Sequence, residues 1–390
     1  MGKTTNALEQ VLQHYMANDP VGMIESYTRV ADYHVSILRD LFPDPGHFVF
    51  KEVGSLLDQL RGYLRKGHLY TKPRPSYDFE YDQIVSYGEL ISSVILHHFL
   101  CLNGIPSMLA DARELVITDA GYRDARVNWE ETQERIGTEI PALFNDNGVR
   151  VVVTQGFIGC DPAGNTTTLG REGSDFTAAI FAYSLRSGEV TIWKDVPGVM
   201  NADPKWFPGA KKLASLSYRE AIELAYYGAS VIHPKTIKPL ENAGIRLLVR
   251  SFLNPGQKGT VIENLEKWSI PSPIYIRKPN QVLISISPRD FSFIMEENLG
   301  QIFSLLAQFR VKANVMQNSA ISFSVCIDRN EHILAPLIEA LSMNYAIRYN
   351  YNVELFTIRH YNGPAIRRIV KNKTVLLEQK TRNTVHLVVA

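Results

Sequence analysis

Residues 151–175, VVVTQGFIGCDPAGNTTTLGREGSD, concentrate side chains that could do chemistry. An apolar run ends at Thr154, after which Gly156 and Gly159 let backbone segments approach closely. Residues 165–175, NTTTLGREGSD, lead into a helix. Glycines and hydroxyls at a helix N-terminus offer unpaired N–H groups and the positive dipole end to an anion. Arg171 adds a planar fork that suits a carboxylate or a phosphate. Taken alone, Ser174 or Asp175 could simply cap the helix.

Three other passages carry similar features. In TIWKDVPGVMNADPKW, residues 191–206, a strand delivers Lys194 and Asp195 to its carboxyl end before the Pro197-Gly198 turn. Charges at the end of a buried strand are costly unless they bind something or pair. The following Asp203-Pro204-Lys205 reads as a plain turn. In YYGASVIHPKT, Gly228 ends a helix, residues 230–232 form a short strand, and His233-Pro234 opens the next helix. A lone histidine there reads as a structural hydrogen-bonder. In SYGELISS, Glu89 lies near the start of a mostly apolar helix, either as a surface acid or as a holder of an ammonium group.

Positioning these residues takes alternating strands and helices. Residues 6–16 read as a helix capped by Asn6, with Leu8, Val11, Leu12, Tyr15 and Met16 on one stripe. Helix continues to about residue 42 and again over 47–66; residues 70–81 read as an exposed loop and 84–102 as helix. Residues 108–110, 149–154, 190–193 and 246–249 are β-rich, with helical stretches at 130–145, 174–186, 217–228 and 234–243. This alternation predicts an α/β class with a mainly parallel sheet between helices. Ligands then lie outside the carboxyl ends of the strands. Past a proline-rich linker at 270–273, the predicted order over 281–349 is β-α-β-β-α-β, a ferredoxin-like α+β unit. A second unit follows from residue 352, with a strand, a brief helix and two strands, and stops before a second helix and a fourth strand.

Charge excludes some partners. Lys plus Arg number 41 against 40 for Asp plus Glu, so no general field attracts nucleic acid or an anionic membrane. Cys101, Cys160 and Cys326 are far apart and not in metal-ligand spacing, which suits free thiols in a reducing cytoplasm. No metal site, signal peptide or apolar stretch of membrane-span length is expected.

In order and spacing, SYGE, QGFIG, TTTLGREGSD, WKDVPGVMNADP and GASVIHPKT resemble the aspartate kinase family, and the two ferredoxin-like segments resemble its paired ACT domains. The resemblance implies an amino-acid kinase fold over 1–268, an ACT-like regulatory domain over 280–350 and a second, incomplete ACT-like unit over 351–390. It implies transfer of the γ-phosphoryl of ATP, with Mg2+, to the side-chain carboxylate of L-aspartate, opening lysine, threonine and methionine biosynthesis. By position, Arg171 matches the arginine that grips a substrate carboxylate, with Ser174 beside it, and Asp175 matches the active-site aspartate. Glu89 matches the acid that pairs with the α-ammonium, and Thr5 a hydroxyl of the aspartate pocket. Lys194, Asp195 and Lys205 match nucleotide-side residues; Ser230 stands where many members have lysine, and Met200 where tyrosine is frequent. Asn298, Gly300, Val315 and Ser319 resemble an effector site, with Asn314 where lysine-inhibited members often carry an acid. A lysine or threonine effector and a homodimer formed through the ACT domains follow from the same resemblance.

The family opens with a strand and a Lys-Phe-Gly-Gly-Thr-Ser loop, a string absent from these 390 residues. By analogy, roughly thirty residues are expected upstream of Met1. MGKTTN then reads as a substrate-side turn, since no strand precedes it as a phosphate loop would need. Two alternatives stay open: a catalytically impaired amino-acid-sensing module, and another amino-acid or nucleotide kinase on the same fold.

Overall fold

Apolar residues at helical spacing build the first part of the chain. The computed structural model describes residues 2–66, 75–145, 148–229, 232–265, 272–290 and 292–390. It opens with α1 (Thr4–Met16), α2 (Pro20–Leu41), α3 (Phe48–Lys66), α4 (Tyr77–Val85) and α5 (Tyr87–Leu102). Leu8, Val11 and Leu12 of α1 are fully buried in one cluster with Met23, Leu60, Leu64 and Ile84. Each such side chain contributes about 1.5–3 kcal/mol.

Three expectations change here. Helix α1 starts at Thr4 with Lys3 at its N-cap, so Asn6 lies inside the helix and does not cap it. The loop expected up to residue 81 ends at Ser76, whose Oγ accepts the Phe79 N–H at 3.2 Å and starts α4. Residues Tyr77–Leu102 form a 26-residue helical run apolar enough, by length and composition, to cross a membrane. Half of that apolar window is buried inside the protein, and Ile84, Ile91 and Ile95 are fully enclosed. These are core helices in the structure.

Next come β1 (Ser107–Ala110), α6 (Ala112–Leu115), α7 (Trp129–Asn145) and β2 (Val151–Thr154). Strands β1 and β2 pair in parallel, with Ala110 opposite Thr154. An antiparallel hairpin of β3 (Ile158–Cys160) and β4 (Thr166–Thr168) leads into α8 (Gly173–Ser184). Then follow β5 (Glu189–Lys194), β6 (Ser215–Ser217), α9 (Tyr218–Tyr227), α10 (Pro234–Ala243), β7 (Arg246–Ser251) and β8 (Thr260–Glu263). These strands order as β5-β7-β8-β6, with β6 and β8 parallel. The β-rich runs expected in one sheet therefore divide between two. Strand β2 is only four residues long, and just past it Gln155 accepts from Ala112 N–H at 2.7 Å and donates to Ser93 Oγ at 2.8 Å. Of the short strand expected at 230–232, Ser230 and Val231 lie outside the described residues.

The remainder comprises β9 (Ile274–Pro288), α11 (Glu296–Gln308), β10 (Ala313–Asn318), β11 (Phe323–Asp328), α12 (Glu331–Ser342), β12 (Tyr345–Arg359), α13 (Gly363–Val370), β13 (Val375–Lys380) and β14 (Thr384–Val389). They share one six-stranded sheet in the order β10-β11-β9-β12-β14-β13. Residues 281–288 of β9 pair with β11 and with the first half of β12, whereas 274–278 pair with Leu355 to Arg359. The chain from 353 onward thus gains its fourth strand from residues that precede the first ferredoxin-like unit. Asn280 and Asn352, both at φ +55°, mark the two changes of role.

The chain forms two compact units, Met1–Ile192 with Ile232–Leu248, and Trp193–Val231 with Val249–Ala390.

Candidate active site

In the first unit the tight approach of β2 to α8 begins the site. A Cβ on Gly156 would lie 2.9 Å from Ser174 Cβ, and one on Gly173 would lie 3.2 Å from Phe157 Cα. Glycine is required at both places to seat the helix. Gly170 has φ +81°, and a Cβ there would lie 2.6 Å from Asp124 Oδ1. The turn closes with Gly173 N–H donating to Gly170 O at 3.0 Å.

Glu172 occupies the N-cap of α8 in the left-handed region, φ +55°, and its side chain makes no capping hydrogen bond. Its buried Oε2 has no hydrogen-bond partner. Neither Ser174 nor Asp175 caps the helix; both lie in its first turn. First-turn N–H groups have no intrahelical acceptor, so this end presents positive potential. Arg171 is exposed beside it, with no hydrogen bond or ion pair to its guanidinium among the described residues.

The threonine run behaves differently from its reading as part of an anion-binding loop. Thr166, Thr167 and Thr168 form β4 and are buried. Thr167 Oγ1 meets Thr118 Oγ1 at 2.7 Å, and Thr168 Oγ1 donates to Asp82 at 2.7 Å. Those hydroxyls are committed internally and are not open to an anion.

Asp82 is the residue that sequence reasoning overlooked. Its carboxylate accepts from Thr168 N–H at 2.8 Å and Arg123 N–H at 3.0 Å, tying α4 to the strand that leads into α8. Burial pushes its pKa up to about 6, against the opposing effect of these hydrogen bonds. The available signal was an acid next to the apolar end of YDFEYDQIV, two residues before Ile84 and Val85.

Helix α5 continues from α4 and carries Glu89 in its first turn. Glu89 is half-buried, and burial raises its pKa above the ordinary glutamate value. A Cβ on the neighbouring Gly88 would lie 3.2 Å from Thr4 Cγ2, so the first turns of α1 and α5 touch. Half-buried Thr5 follows Thr4 there. An exposed guanidinium, a helix N-terminus and a desolvated carboxylate in one unit are the groups a zwitterionic amino acid would engage.

In the second unit, Lys194 ends β5, exposed Asp195 follows, and half-buried Met200 bridges to Lys212. Asp203 Oδ1 accepts Lys205 N–H at 2.9 Å, confirming the turn, and the exposed Lys205 ammonium has no partner among the described residues. Ser230 lies outside the described residues. His233, in the first unit, accepts Lys235 N–H at the N-cap of α10, a structural role.

The five effector candidates do not converge on one point. Asn298 forms a capping box with Met295 N–H at 2.9 Å, and Gly300 lies in the same helix, α11. Ile294 N–H donates to Ala320 O at 2.9 Å, bringing the loop before α11 beside the turn that holds Ser319. Asn314 lies toward the other end of β10, about 16 Å from Ser319 along an extended strand. There it accepts from Lys278 Nζ at 2.9 Å and donates to Gln281 Oε1 at 2.8 Å. Val315 is buried in the core of the sheet.

The sequence model of the amino acid kinase family matches residues 12–251. The chain belongs to that family. Among its members, lysine-sensitive aspartokinase 3 of Escherichia coli (strain K12) is 28% identical over 313 residues, 80% of this chain and 67% of that protein. Aspartokinase 1, chloroplastic, of Arabidopsis thaliana is 29% identical over 84% of this chain and 57% of its own length. The chain spans only 28% of a bifunctional aspartokinase/homoserine dehydrogenase of Zea mays, at 33% identity. The amino acid kinase fold is also that of the crystal structure of E. coli aspartokinase III in complex with aspartate and ADP. That match has a TM-score of 0.79 at 24% identity, covering 100% of this chain and 87% of that one.

Proposed function

We propose that this amino acid kinase is an aspartate kinase. It transfers the γ-phosphoryl of ATP to the side-chain carboxylate of L-aspartate, giving 4-phospho-L-aspartate and ADP for lysine, threonine and methionine biosynthesis. The observation that carries this reading is the uncapped N-terminus of α8 beside the unpartnered Arg171. In the proposal Arg171 grips a substrate carboxylate with Ser174 beside it, Glu89 pairs with the α-ammonium, and Thr5 borders the pocket. Asp175 orders charge near the transferred group. A carboxylate oxygen attacks the γ-phosphorus while the bond to the β–γ bridging oxygen breaks, so the protein's task is alignment and charge neutralisation.

On the nucleotide side the proposal assigns Lys194, Asp195, Met200, Lys205 and Ser230. The unpartnered Lys205 ammonium suits a phosphate. Among the described residues no group of three or more His, Cys, Asp or Glu side chains is arranged to hold a metal ion. In the proposal Mg2+ would be held mainly by the nucleotide phosphates, where it would neutralise their charge. The same proposal takes 1–268 as the catalytic region and 280–350 and 351–390 as ACT-like regulatory segments, in a cytoplasmic homodimer. A lysine or threonine effector would act through residues near Asn298, Gly300, Asn314, Val315 and Ser319. Bound lysine in a matched E. coli aspartokinase III structure supports lysine as the first effector to try.

A coupled ADP-release assay across L-aspartate, L-glutamate and other amino acids tests the substrate. Saturable turnover with L-aspartate is expected; turnover with another acid and none with aspartate defeats the reading. Lysine or threonine binding without any turnover would favour a sensing module instead.

A further inference from the structure

We propose that a cleft between α7, α8 and α10 binds a small aromatic anion at a site separate from Arg171 and Glu89. The cleft has a volume of about 410 Å3 and lies wholly within the first unit. That volume falls within the range of small-molecule sites.

One side is aromatic. Trp129 packs edge-on to Tyr183 at 5.2 Å and to Phe176 at 6.2 Å between ring centroids. Phe176 and Tyr183 are seven residues apart on α8, two turns along one face. Trp129 and Phe176 are only partly buried against the core that contains Ile136 and Ile180, which leaves ring surface lining the cleft. Flat apolar surfaces of this kind favour a stacked or edge-on aromatic partner.

The polar lining has one sign of charge. Arg126, Lys235 and Lys238 line the cleft, and among the described residues no acidic side chain does. Lys235 is tied to Asp124 by an ion pair. Arg126 and Lys238 are exposed, and their charged ends have no hydrogen bond or ion pair among the described residues. A guanidinium and an ammonium at the edge of an aromatic wall suit a ligand with a planar body and one acid group, a carboxylate or a phosphate. Phe176 directly follows Asp175, so an occupant contacts the helix whose first turn carries Ser174 and Asp175. The inference does not depend on the proposed kinase activity.

Calorimetric titration of the full chain with 2-naphthoate, 2-naphthyl phosphate and the neutral 2-naphthamide tests it, beside an Arg126→Gln/Lys238→Gln variant. One saturable site per chain is expected for at least one anion, and the better anion identifies the acid group. The amide and the double variant should each bind at least about tenfold more weakly. The variant's unfolding midpoint should stay at the wild-type value, because both side chains are exposed. Amide binding as tight as the anions, wild-type affinity in the double variant, or no saturation by either anion below about 1 mM would overturn the proposal.

Discussion

Arg171 is available because its neighbours make the turn for it. Gly170 and Gly173 close the backbone, Glu172 takes the left-handed position, and the guanidinium is left in solvent. Arg171→Ala should lower kcat/KM for L-aspartate by about tenfold to a hundredfold, the loss of a charge-assisted bidentate contact. The unfolding midpoint should not move, which separates binding from folding. Glu172 is the strained member of the turn, a side chain at φ +55° with a buried, unpartnered Oε2. Glu172→Gly should stabilise the protein by about 1 kcal/mol in denaturant unfolding, because glycine adopts this backbone without a Cβ clash. For Glu89, burial raises the folded pKa, so ionising it costs stability as pH rises through that value. Pairing with a substrate ammonium needs the ionised form. The acidic limb of the pH profile for kcat/KM should therefore lie above the ordinary glutamate range and vanish in Glu89→Gln.

At the scale of elements, helix α9 is fastened to the C-terminal sheet by a buried ion pair. Arg359 on β12 donates to both carboxylate oxygens of Glu220, at 3.0 and 2.6 Å, and reaches Glu223 at 3.4 Å. Burial pushes the Glu220 pKa up, but Arg359 and His360 outweigh it and hold the carboxyl below its ordinary value. Arg359→Met should destabilise by about 3–5 kcal/mol by leaving Glu220 buried without its guanidinium partner, with only His360 beside it, and Arg359→Met/Glu220→Leu should recover much of that loss. Chemical denaturation of the two variants checks both. On β14, burial lowers the His386 pKa to about 4, with Arg359 adding repulsion. Its unfolded state binds the extra proton between the ordinary histidine value and about 4, so stability falls as pH drops through that window. The loss amounts to about 3 kcal/mol at most. Asp82, raised to about 6, has the opposite sign: its folded state takes up a proton first, so its contribution grows as pH falls toward 4. Subtracting the stability profile of His386→Gln from that of the wild type should isolate a term that declines below pH 6.5.

Across the whole molecule, legibility followed the range of the interactions. The stripe Leu8, Val11, Leu12 and Tyr15 repeats at helical spacing, and those residues are buried together as that spacing requires. Gly228 and the His233-Pro234 start were readable because caps are local, with Gly228 at φ +107°. Thr166–Thr168 was ambiguous, since β-branched hydroxyl residues suit either a buried strand or an open loop. Its partner Asp82 lies 86 residues earlier in sequence. The first half of β9 was equally opaque: its pairing with Leu355 to Arg359 spans about eighty residues and follows no local pattern. Within the candidate site, residue types and order were visible in TTTLGREGSD, but the left-handed Glu172 was not, because side-chain chemistry does not report a turn's φ. Trapping of the acyl phosphate with hydroxylamine tests phosphoryl transfer to aspartate at the product itself. Aspartate hydroxamate should form in step with ADP, depend on both ATP and L-aspartate, and be strongly reduced in Arg171→Ala. ADP release without hydroxamate, or hydroxamate formation unchanged in Arg171→Ala, would contradict this reading.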